Sequence, residues 1–234
     1  SRHMHEYGTT RDHLYAVAKT AREWAMLNPE AFVRKPLSSE EYFEARMVSD
    51  PLSVLDCCLV TDGAAAIVMV RKDWVEQRPA AYLLGVGEAT DHYQIAQMPD
   101  LTTSAAKFSS SRAYAQAGIL PADVDVVELY DAFTINTIMF IEDLGFCKKG
   151  EGGDFVASGA TGPGGKLPVN TNGGGLACVH PGMYGLFTVV EAVRQLTATA
   201  GDRQIEGADI AVAHGNGGFL SSQVTAVLGT ATAL

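Results

Sequence analysis

The stretch Asn170-Thr171-Asn172-Gly173-Gly174-Gly175-Leu176 is followed, after three residues, by His180-Pro181-Gly182. It is the most informative part of the chain, because a histidine directly precedes a proline at the start of a segment with helical spacing. Proline is favoured at the first position of a helix. His180 is therefore predicted at a helix N-terminus, where unpaired N–H groups and the helix dipole favour negative charge. The helix is predicted over residues 181–196, with one apolar face formed by Leu186, Val189, Val190, Val193 and Leu196.

The apolar segments on both sides of this stretch alternate between strand and helix patterns. Gly118 and Gly145 each stand where a helix is expected to end. Strands that alternate with helices and then close with a hairpin predict an α/β fold with a mixed sheet. The predicted strands are residues 81–86, 124–129, 210–213 and 219–228, and the other predicted helices are residues 103–117 and 133–144.

The N-terminal residues carry two helix-start signals. Thr10 is a plausible N-cap, and Ser38 stands three residues before Glu41, as in a capping box. Because the first residues lead straight into a capped helix, we expect the sequence to have lost an upstream part.

A continuous apolar run from Ala64 to Val70 predicts a strand that is buried on both faces. Polar residues resume at Arg71, and a new strand pattern begins after Pro79. We therefore predict two regions, residues 1–78 and residues 79–234.

Composition excludes several classes of protein. The formal net charge of −10 over 234 residues argues against a nucleic-acid binder. No run of 18 apolar residues predicts a membrane span, and no basic segment with an apolar core predicts a secretory signal. The four cysteines form no C-x-x-C pair and no zinc-type cluster, so we expect reduced thiols, a cytoplasmic location and no metal on this chain. Gly165-Lys166 is followed by Leu167 and therefore fails the phosphate-loop pattern.

Three segments place reactive side chains at the ends of predicted strands, where sites form in α/β sheets. They are Leu129–Phe133, Cys178–Gly185 and His214–Gly218, the last predicted as a tight turn. For each side chain two interpretations remain open at this point. Tyr130, His180 and Tyr184 could act on a substrate, or they could serve only for packing or capping.

Together these motifs resemble the second half of the thiolase superfamily, over essentially the whole chain. Tyr130-Asp131-Ala132-Phe133 stands where thiolases carry Asn-Glu-Ala-Phe or, in the sterol-carrier branch, His-Asp-x-Phe. His214–Gly218 stands where they carry Cys-x-Gly-Gly-Gly. The resemblance implies a layered α-β-α-β-α architecture with a mixed five-stranded sheet and an incomplete first half. Residues 1–78 would be the end of the N-terminal thiolase half with its loop region, and residues 79–234 would be the C-terminal domain.

The departures from the family pattern point to a particular subgroup. Thiolases use a nucleophilic Cys on the first half, outside this chain, a His and an Asn at the oxyanion hole, and a second Cys as acid and base. His180 keeps the His position, whereas Tyr130 replaces the Asn, His214 replaces the second Cys, and Tyr184 fills a position that is usually small. This pattern resembles the thiolase-like lipid-transfer proteins that act as retro-aldolases in steroid side-chain breakdown. It implies cleavage of a β-hydroxyacyl-CoA to a ketone and a shorter acyl-CoA.

Retro-aldol cleavage needs groups that deprotonate a β-hydroxyl, hold a thioester enolate and protonate the α-carbon. We predict that Tyr130 and Tyr184 perform the proton transfers, and a tyrosine base would need its pKa lowered by its neighbours. His180 and backbone N–H groups near Gly182 are predicted to stabilise the enolate, and His214 to orient or protonate the substrate. The predicted substrate-binding residues are Asn172, Gly182, Gly217 and Gly218. Coenzyme A is expected as part of the substrate, with no cofactor on this chain.

Two other functions remain open. The first is acyl transfer by a thiolase whose reactive Cys lies on the missing half. The second is a non-catalytic lipid or acyl-CoA carrier, or a partner subunit. The resemblance also implies a homodimer formed through the sheet edge, and a partner protein with an OB fold and a zinc ribbon that would hold any metal.

Overall fold

The computed structural model describes residues 1–75 and 78–234. The helices and strands predicted from residue 79 onward appear in the predicted order, and several short helices and strands are added to them. The helices are α1 (Arg2–Tyr7), α2 (Arg11–Met26), α3 (Ser39–Glu44), α4 (Ala106–Ala117), α5 (Thr134–Asp143), α6 (Gly152–Ala157), α7 (Gly174–Ala177) and α8 (Gly185–Leu196). The strands are β1 (Met47–Ser49), β2 (Leu52–Ser53), β3 (Tyr82–Thr90), β4 (Val126–Leu129), β5 (Ile210–Gly217) and β6 (Ser222–Gly229).

Four strands form one sheet in the order β3-β6-β5-β4. β4 is parallel to β5, and β6 is antiparallel to β5 and to β3, so the predicted mixed sheet is confirmed. The predicted fifth strand is wrong for the described residues, because only a single parallel bridge, Val127 to Val169, forms beside β4. Regular pairing stops at Asn170, whose φ of 53° is left-handed. Its side-chain Oδ1 instead accepts the N–H of Leu129 at 2.6 Å.

Helices cover both faces of this sheet. Successive strand residues point to opposite faces, and Val127, Val212 and Val227 belong to the larger core with residues of α4 and α5. Val126 and Ala211, one position away, join a smaller core with residues of α8. α2 packs outside α5, α6 and α7 and adds a further layer. Among residues 1–75 and 78–234, no helix combines the length and the apolar character that a membrane crossing needs.

Helix α8 differs from the prediction in its start and in its buried face. It begins at Gly185 rather than at Pro181, because Gly182 has a left-handed φ of 82° that a continuous helix cannot contain. His180 therefore precedes an irregular segment and is not at a helix N-terminus.

The buried face of α8 is largely polar. Thr188, Glu191 and Gln195 are buried, whereas Leu186 of the predicted apolar face is 43% exposed. Glu191 accepts hydrogen bonds from the guanidinium of Arg203 at 2.7 and 3.0 Å, and Gln195 donates to Thr171 at 2.9 Å. These partners lie outside the helix, 12 and 24 residues away along the chain, so helical spacing alone could not reveal them. The hydrogen bonds to these partners decide which face of α8 is buried, because buried charged and polar groups need hydrogen bonds.

The two predicted helix starts in the N-terminal part are confirmed. α2 begins directly after Thr10, whose N–H donates to His13 Nδ1 at 3.1 Å. α3 begins after Ser38, whose Oγ accepts the N–H of Glu41 at 3.1 Å.

The predicted buried strand from Ala64 to Val70 is wrong. This run has no regular secondary structure, and Val68 and Met69 are 87% and 75% exposed. A continuous apolar run becomes a buried strand only where other strands pair with it, and none of the described strands does so. The start of the run packs on the rest of the chain instead, since a Cβ at Gly63 would lie 3.0 Å from Val179.

The division at residue 78 stays a prediction, because residues 76 and 77 beside it are outside the described part of the chain. Residues on both sides of it share one core. Leu14 and Tyr42 are in the same buried cluster as Leu129 and Phe140. The N-terminal helices therefore help to support the region that carries the predicted site.

Strand β3 lies at the edge of the sheet, and side chains of α4 cross its outer side. The N–H of Val86 donates to Gln116 Oε1 at 2.8 Å, and Arg112 donates to the backbone carbonyl of Glu88. An edge strand leaves backbone N–H and carbonyl groups without a neighbouring strand, and two of these groups on β3 are therefore bonded by side chains.

Close packing of α4 on β3 requires glycine at position 87, where a Cβ would overlap the backbone carbonyl of Ser109. Gly87→Ala is expected to lower the free energy of unfolding by about 1–3 kcal/mol, as for other overpacked cores. Gly162→Ala is the control, because the nearest heavy atom to its Cβ would be 3.5 Å away. Urea denaturation measures both variants, and equal losses would contradict the packing argument.

Candidate active site

The carboxyl ends of the parallel strands β4 and β5 open into a cavity of about 1020 Å³. Ligands bind at this end of open α/β sheets. The structure brings most of the predicted site residues to this place but separates them into two groups. Tyr130, His180, Gly182, Gly217 and Gly218 line the cavity, whereas Asn172, Tyr184 and His214 do not.

Tyr130 and His180 form a hydrogen-bonded pair at the cavity wall. Tyr130 follows the last residue of β4, and its hydroxyl lies 3.1 Å from Nε2 of His180 and 3.4 Å from the carbonyl oxygen of Gly182. Either member of the pair can donate, depending on the imidazole tautomer. A proton can therefore pass between the two side chains in either direction.

Burial sets the charge of this pair. It lowers the pKa of His180 below its usual 6.5, because the imidazolium form loses hydration. It raises the pKa of Tyr130 above 10, and nearby Cys58 and Asp131 act in the same direction. At neutral pH the histidine is neutral and the tyrosine is protonated. A tyrosine base needs a lowered pKa, whereas the pKa of Tyr130 is raised. The shift therefore favours Tyr130 as a proton donor or relay.

Asp131 fixes the glycine-rich stretch behind the pair. Its carboxylate is buried and accepts the N–H of Gly175 at 2.6 Å and that of Leu176 at 3.4 Å. Burial raises the pKa of Asp131 to about 7 despite these bonds. Glycine is required at position 174, because a Cβ there would overlap the carboxylate of Asp131. The role of Asp131 in the described structure is therefore to hold the backbone.

The backbone of His180 is hydrogen-bonded by Thr61, a residue that the sequence did not indicate. Its N–H donates to Thr61 Oγ1 at 3.0 Å, and its carbonyl accepts the N–H of Thr61 at 3.3 Å. The only signal in the sequence is that Thr61 stands shortly before Gly63 and the strand predicted from Ala64 to Val70.

Tyr184 is fully buried, and its hydroxyl donates to Asn172 Oδ1 at 2.9 Å. Asn172 Oδ1 also accepts the N–H of Gly174 at 2.7 Å. The ring of Tyr184 meets that of Tyr130 edge-on at 5.7 Å. Burial raises the pKa of Tyr184 well above 10, with further contributions from Asp131 and Glu128. Tyr184 and Asn172 thus lie directly behind the cavity wall and support Tyr130.

His214 is inside β5 and not in a tight turn, which corrects the prediction for His214–Gly218. The strand continues to Gly217, and the turn follows it, because residues 210–217 pair with β6 without a break. His214 is fully buried, with Nδ1 2.9 Å from Thr225 Oγ1 and Nε2 3.0 Å from Gln223 Oε1. Burial lowers its pKa to about 4, so it is neutral at physiological pH.

Two polar residues that line the cavity are not among the predicted site residues. Asn136 lies in the first turn of α5, three residues after Phe133, and Asn216 lies near the end of β5. Asn216 is within the quoted motif His214–Gly218, so its position was the available signal. Among residues 1–75 and 78–234, no group of three or more His, Cys, Asp or Glu side chains is arranged to hold a metal ion.

The family model described as thiolase C-terminal domain-like matches residues 87–230. The chain belongs to this thiolase family. The match includes β4, α8 and the hairpin of β5 and β6, which are the elements that carry the cavity.

Thiolase-family relatives cover nearly the whole chain. It is 39% identical over 93% of its length to an acetyl-CoA acetyltransferase of Methanothermobacter thermautotrophicus. It is also 39% identical over 85% of its length to 17-hydroxy-3-oxo-4-pregnene-20-carboxyl-CoA lyase of Mycobacterium tuberculosis. The structure of the Ltp2-ChsH2(DUF35) aldolase matches 98% of the chain with a TM-score of 0.90 and 32% identity. The predicted thiolase-like fold is thereby confirmed.

The chain spans only part of each of these proteins. It covers 58% of the acetyltransferase, 53% of the lyase and 61% of the aldolase chain.

The buried bond between Tyr184 and Asn172 is expected to contribute to stability. Tyr184→Phe is expected to lower the free energy of unfolding by about 1 kcal/mol, because one buried hydrogen bond is lost while Asn172 keeps its bond from Gly174. Tyr114→Phe is the matched control, since its buried hydroxyl donates to the carbonyl of Leu144 at 3.1 Å, away from the cavity. Urea denaturation should give similar losses, and an unchanged stability for Tyr184→Phe alone would contradict the assignment.

Proposed function

We propose that the protein catalyses retro-aldol cleavage of a β-hydroxyacyl-CoA to a ketone and a shorter acyl-CoA. The observation that carries this proposal is the hydrogen-bonded pair of Tyr130 and His180 at the cavity wall, which supplies acid and base without a nucleophile. The likeness to a steroid acyl-CoA lyase and to an aldolase structure supports it. The steroid nature of the substrate is part of the same proposal.

The reaction moves one proton from the β-hydroxyl to the α-carbon. As the hydroxyl loses its proton, the bond between the α- and β-carbons breaks, and its electron pair forms the enolate of the thioester. We assign the relay to Tyr130, whose hydroxyl takes up the substrate proton while it donates its own to His180. The resulting imidazolium then returns a proton through the same pair to the α-carbon.

The other predicted residues have supporting roles in this proposal. Backbone N–H groups of Gly182 and Met183, beside His180 in the irregular segment, bind the enolate oxygen, as in other oxyanion holes. Gly217 and Gly218 allow the acyl-CoA to approach the backbone. Asn172, Tyr184 and His214 lie behind the wall, so we propose that they position Tyr130 and the strands rather than exchange protons with substrate.

Acyl transfer is the second candidate, because the chain is 39% identical to an acetyl-CoA acetyltransferase. It would require a reactive cysteine from outside this chain, since none of the four cysteines present lines the cavity. Burial raises the pKa of Cys58, whose N–H donates to the carbonyl of Ala132 beside the site, to about 11, which disfavours its thiolate.

We further propose a homodimer and a partner subunit with an OB fold and a zinc ribbon, in the cytoplasm. The similar Ltp2-ChsH2(DUF35) aldolase carries the names of two components, which supports a partner subunit. Co-purification of the full-length protein with a zinc-containing partner would test this assembly.

Tyr130→Phe in the full-length protein is expected to reduce cleavage of a tertiary β-hydroxyacyl-CoA by at least about 100-fold, the usual contribution of general acid–base catalysis. Ketone release is followed by mass spectrometry, and Tyr114→Phe serves as a control for loss of a buried tyrosine hydroxyl elsewhere. Unchanged cleavage by Tyr130→Phe would refute the relay. CoA-dependent cleavage of a 3-ketoacyl-CoA, without ketone release, would instead establish acyl transfer.

The pH profile of cleavage tests the charge state of the pair. Because neutral His180 is the active form and its pKa is lowered, the rate should stay level at neutral pH and fall only below about pH 6.5. The raised pKa of Tyr130 should keep the rate level on the alkaline side to about pH 10. His180→Gln should abolish the acid limb together with most of the activity. If the fall in rate at acid pH remained in His180→Gln, the titrating group would be a residue other than His180.

A further inference from the structure

Two asparagine carboxamides face the cavity without a hydrogen bond to the described protein. Asn136 is only 3% exposed and lines the cavity. Asn216 also lines it, and its Oδ1 is enclosed and has no partner. A buried polar group without a hydrogen bond is unfavourable, so such a group at a cavity wall indicates a missing ligand contact.

The packing of α5 on β5 places these two side chains on facing surfaces, at the end of the sheet where the cavity lies. The rings of Phe140 and His214 are in edge contact, with centroids 4.6 Å apart. Asn136 is four residues before Phe140 and therefore on the same face of α5, about 6 Å closer to its first turn. Asn216 is two residues after His214 and on the same face of β5, about 6.6 Å further along. Both displacements lead towards the cavity.

The surrounding wall is apolar, and its neighbouring polar groups already have partners. Phe133, Phe219 and Leu220 line the cavity on this side. Gln223, which is opposite Asn216 in the hairpin, uses its amide for His214 and for the carbonyl of Leu220. The two carboxamides thus remain available for a ligand.

A hydroxyl group fits this pair better than a purely accepting or purely donating group. It can accept a hydrogen bond from one side-chain N–H and donate its single proton either to the other side-chain oxygen or, for cleavage, to Tyr130, and each carboxamide can present either end by rotation about χ2. Tyr130 points to the opposite face of the sheet, towards α8, because it directly follows Leu129, which pairs with His214. A substrate at the ends of β4 and β5 is therefore contacted by Tyr130 on one side and by the carboxamides on the other.

We propose that Asn136 and Asn216 form a subsite that binds the β-hydroxyl of the acyl group and holds it towards Tyr130. This inference rests on the proposed function for the identity of the hydroxyl. It concerns binding, however, and can fail while cleavage is confirmed. Both asparagines are positioning residues in this proposal, and neither exchanges a proton with the substrate.

The test compares the binding of a tertiary β-hydroxyacyl-CoA and its deoxy analogue by isothermal titration calorimetry. It uses the full-length protein in a Tyr130→Phe background, which removes the other proposed contact to the hydroxyl and slows turnover. We expect the hydroxylated ligand to bind about tenfold more tightly than the deoxy ligand. Adding Asn216→Leu, or separately Asn136→Leu, should remove this preference and leave the affinity for the deoxy ligand unchanged.

Free coenzyme A distinguishes the hydroxyl from the amide groups of the pantetheine arm. Its affinity should be the same with and without the asparagine substitutions, and a loss in either variant would assign the carboxamides to pantetheine and overturn the proposal. A hydroxyl preference that survives in both variants would also overturn it. Thermal unfolding checks that each variant is folded. Because the two substitutions lie in different elements, loss of the hydroxyl preference in both folded variants indicates a shared subsite and not a shared folding defect.

Discussion

The hydrogen bonds between the end of β4 and the glycine-rich stretch determine where every other part of the site lies. Asn170 pairs with Val127 through its backbone and with Leu129 through its side chain. Asp131 then accepts two backbone N–H groups from the turn of α7. Tyr130 stands between these two attachments, so its backbone has little freedom. The stretch leads from there directly to His180, which is how residues 50 positions apart become a bonded pair.

Burial, together with the acids beneath the cavity, explains why the tyrosines of the site stay protonated. Glu128 is fully buried next to Glu191, and burial together with that neighbour raises its pKa. Glu191 is paired with Arg203, which balances one negative charge but leaves Glu128 and Asp131 in surroundings with few cations. Any phenolate or thiolate formed here would meet further negative charge in a poorly hydrated environment. Such an environment favours tyrosine hydroxyls, whereas the neutral imidazole of His180 results from burial, because nearby negative charge alone would favour the imidazolium.

Local signals predicted the elements, whereas contacts distant in sequence decided the details. The capping residues Thr10 and Ser38 and the terminal glycine Gly118 act within one helical turn, so the sequence was sufficient for them. The start of α8 was wrong because a local preference for proline at the first helical position is overridden by the left-handed Gly182. The predicted turn at His214 is wrong because the glycines that follow it, Gly215, Gly217 and Gly218, are compatible with a strand as well as with a turn. Strand and helix ends, together with the family motifs, predict Tyr130 and His180, but the carboxamides of Asn136 and Asn216 become visible only when α5 is packed on β5.

The side chains that cross the outer edge of β3 also affect how copies of this molecule can meet. An open strand edge is a template on which another chain can extend the sheet, and such growth leads to fibrils as readily as to defined dimers. Gln116 and Arg112 occupy backbone groups on that edge, and both come from the helix that packs on the same strand. The sheet is therefore protected against open-ended growth in this direction. A symmetric contact through this strand would first have to displace both side chains from the backbone groups that they occupy.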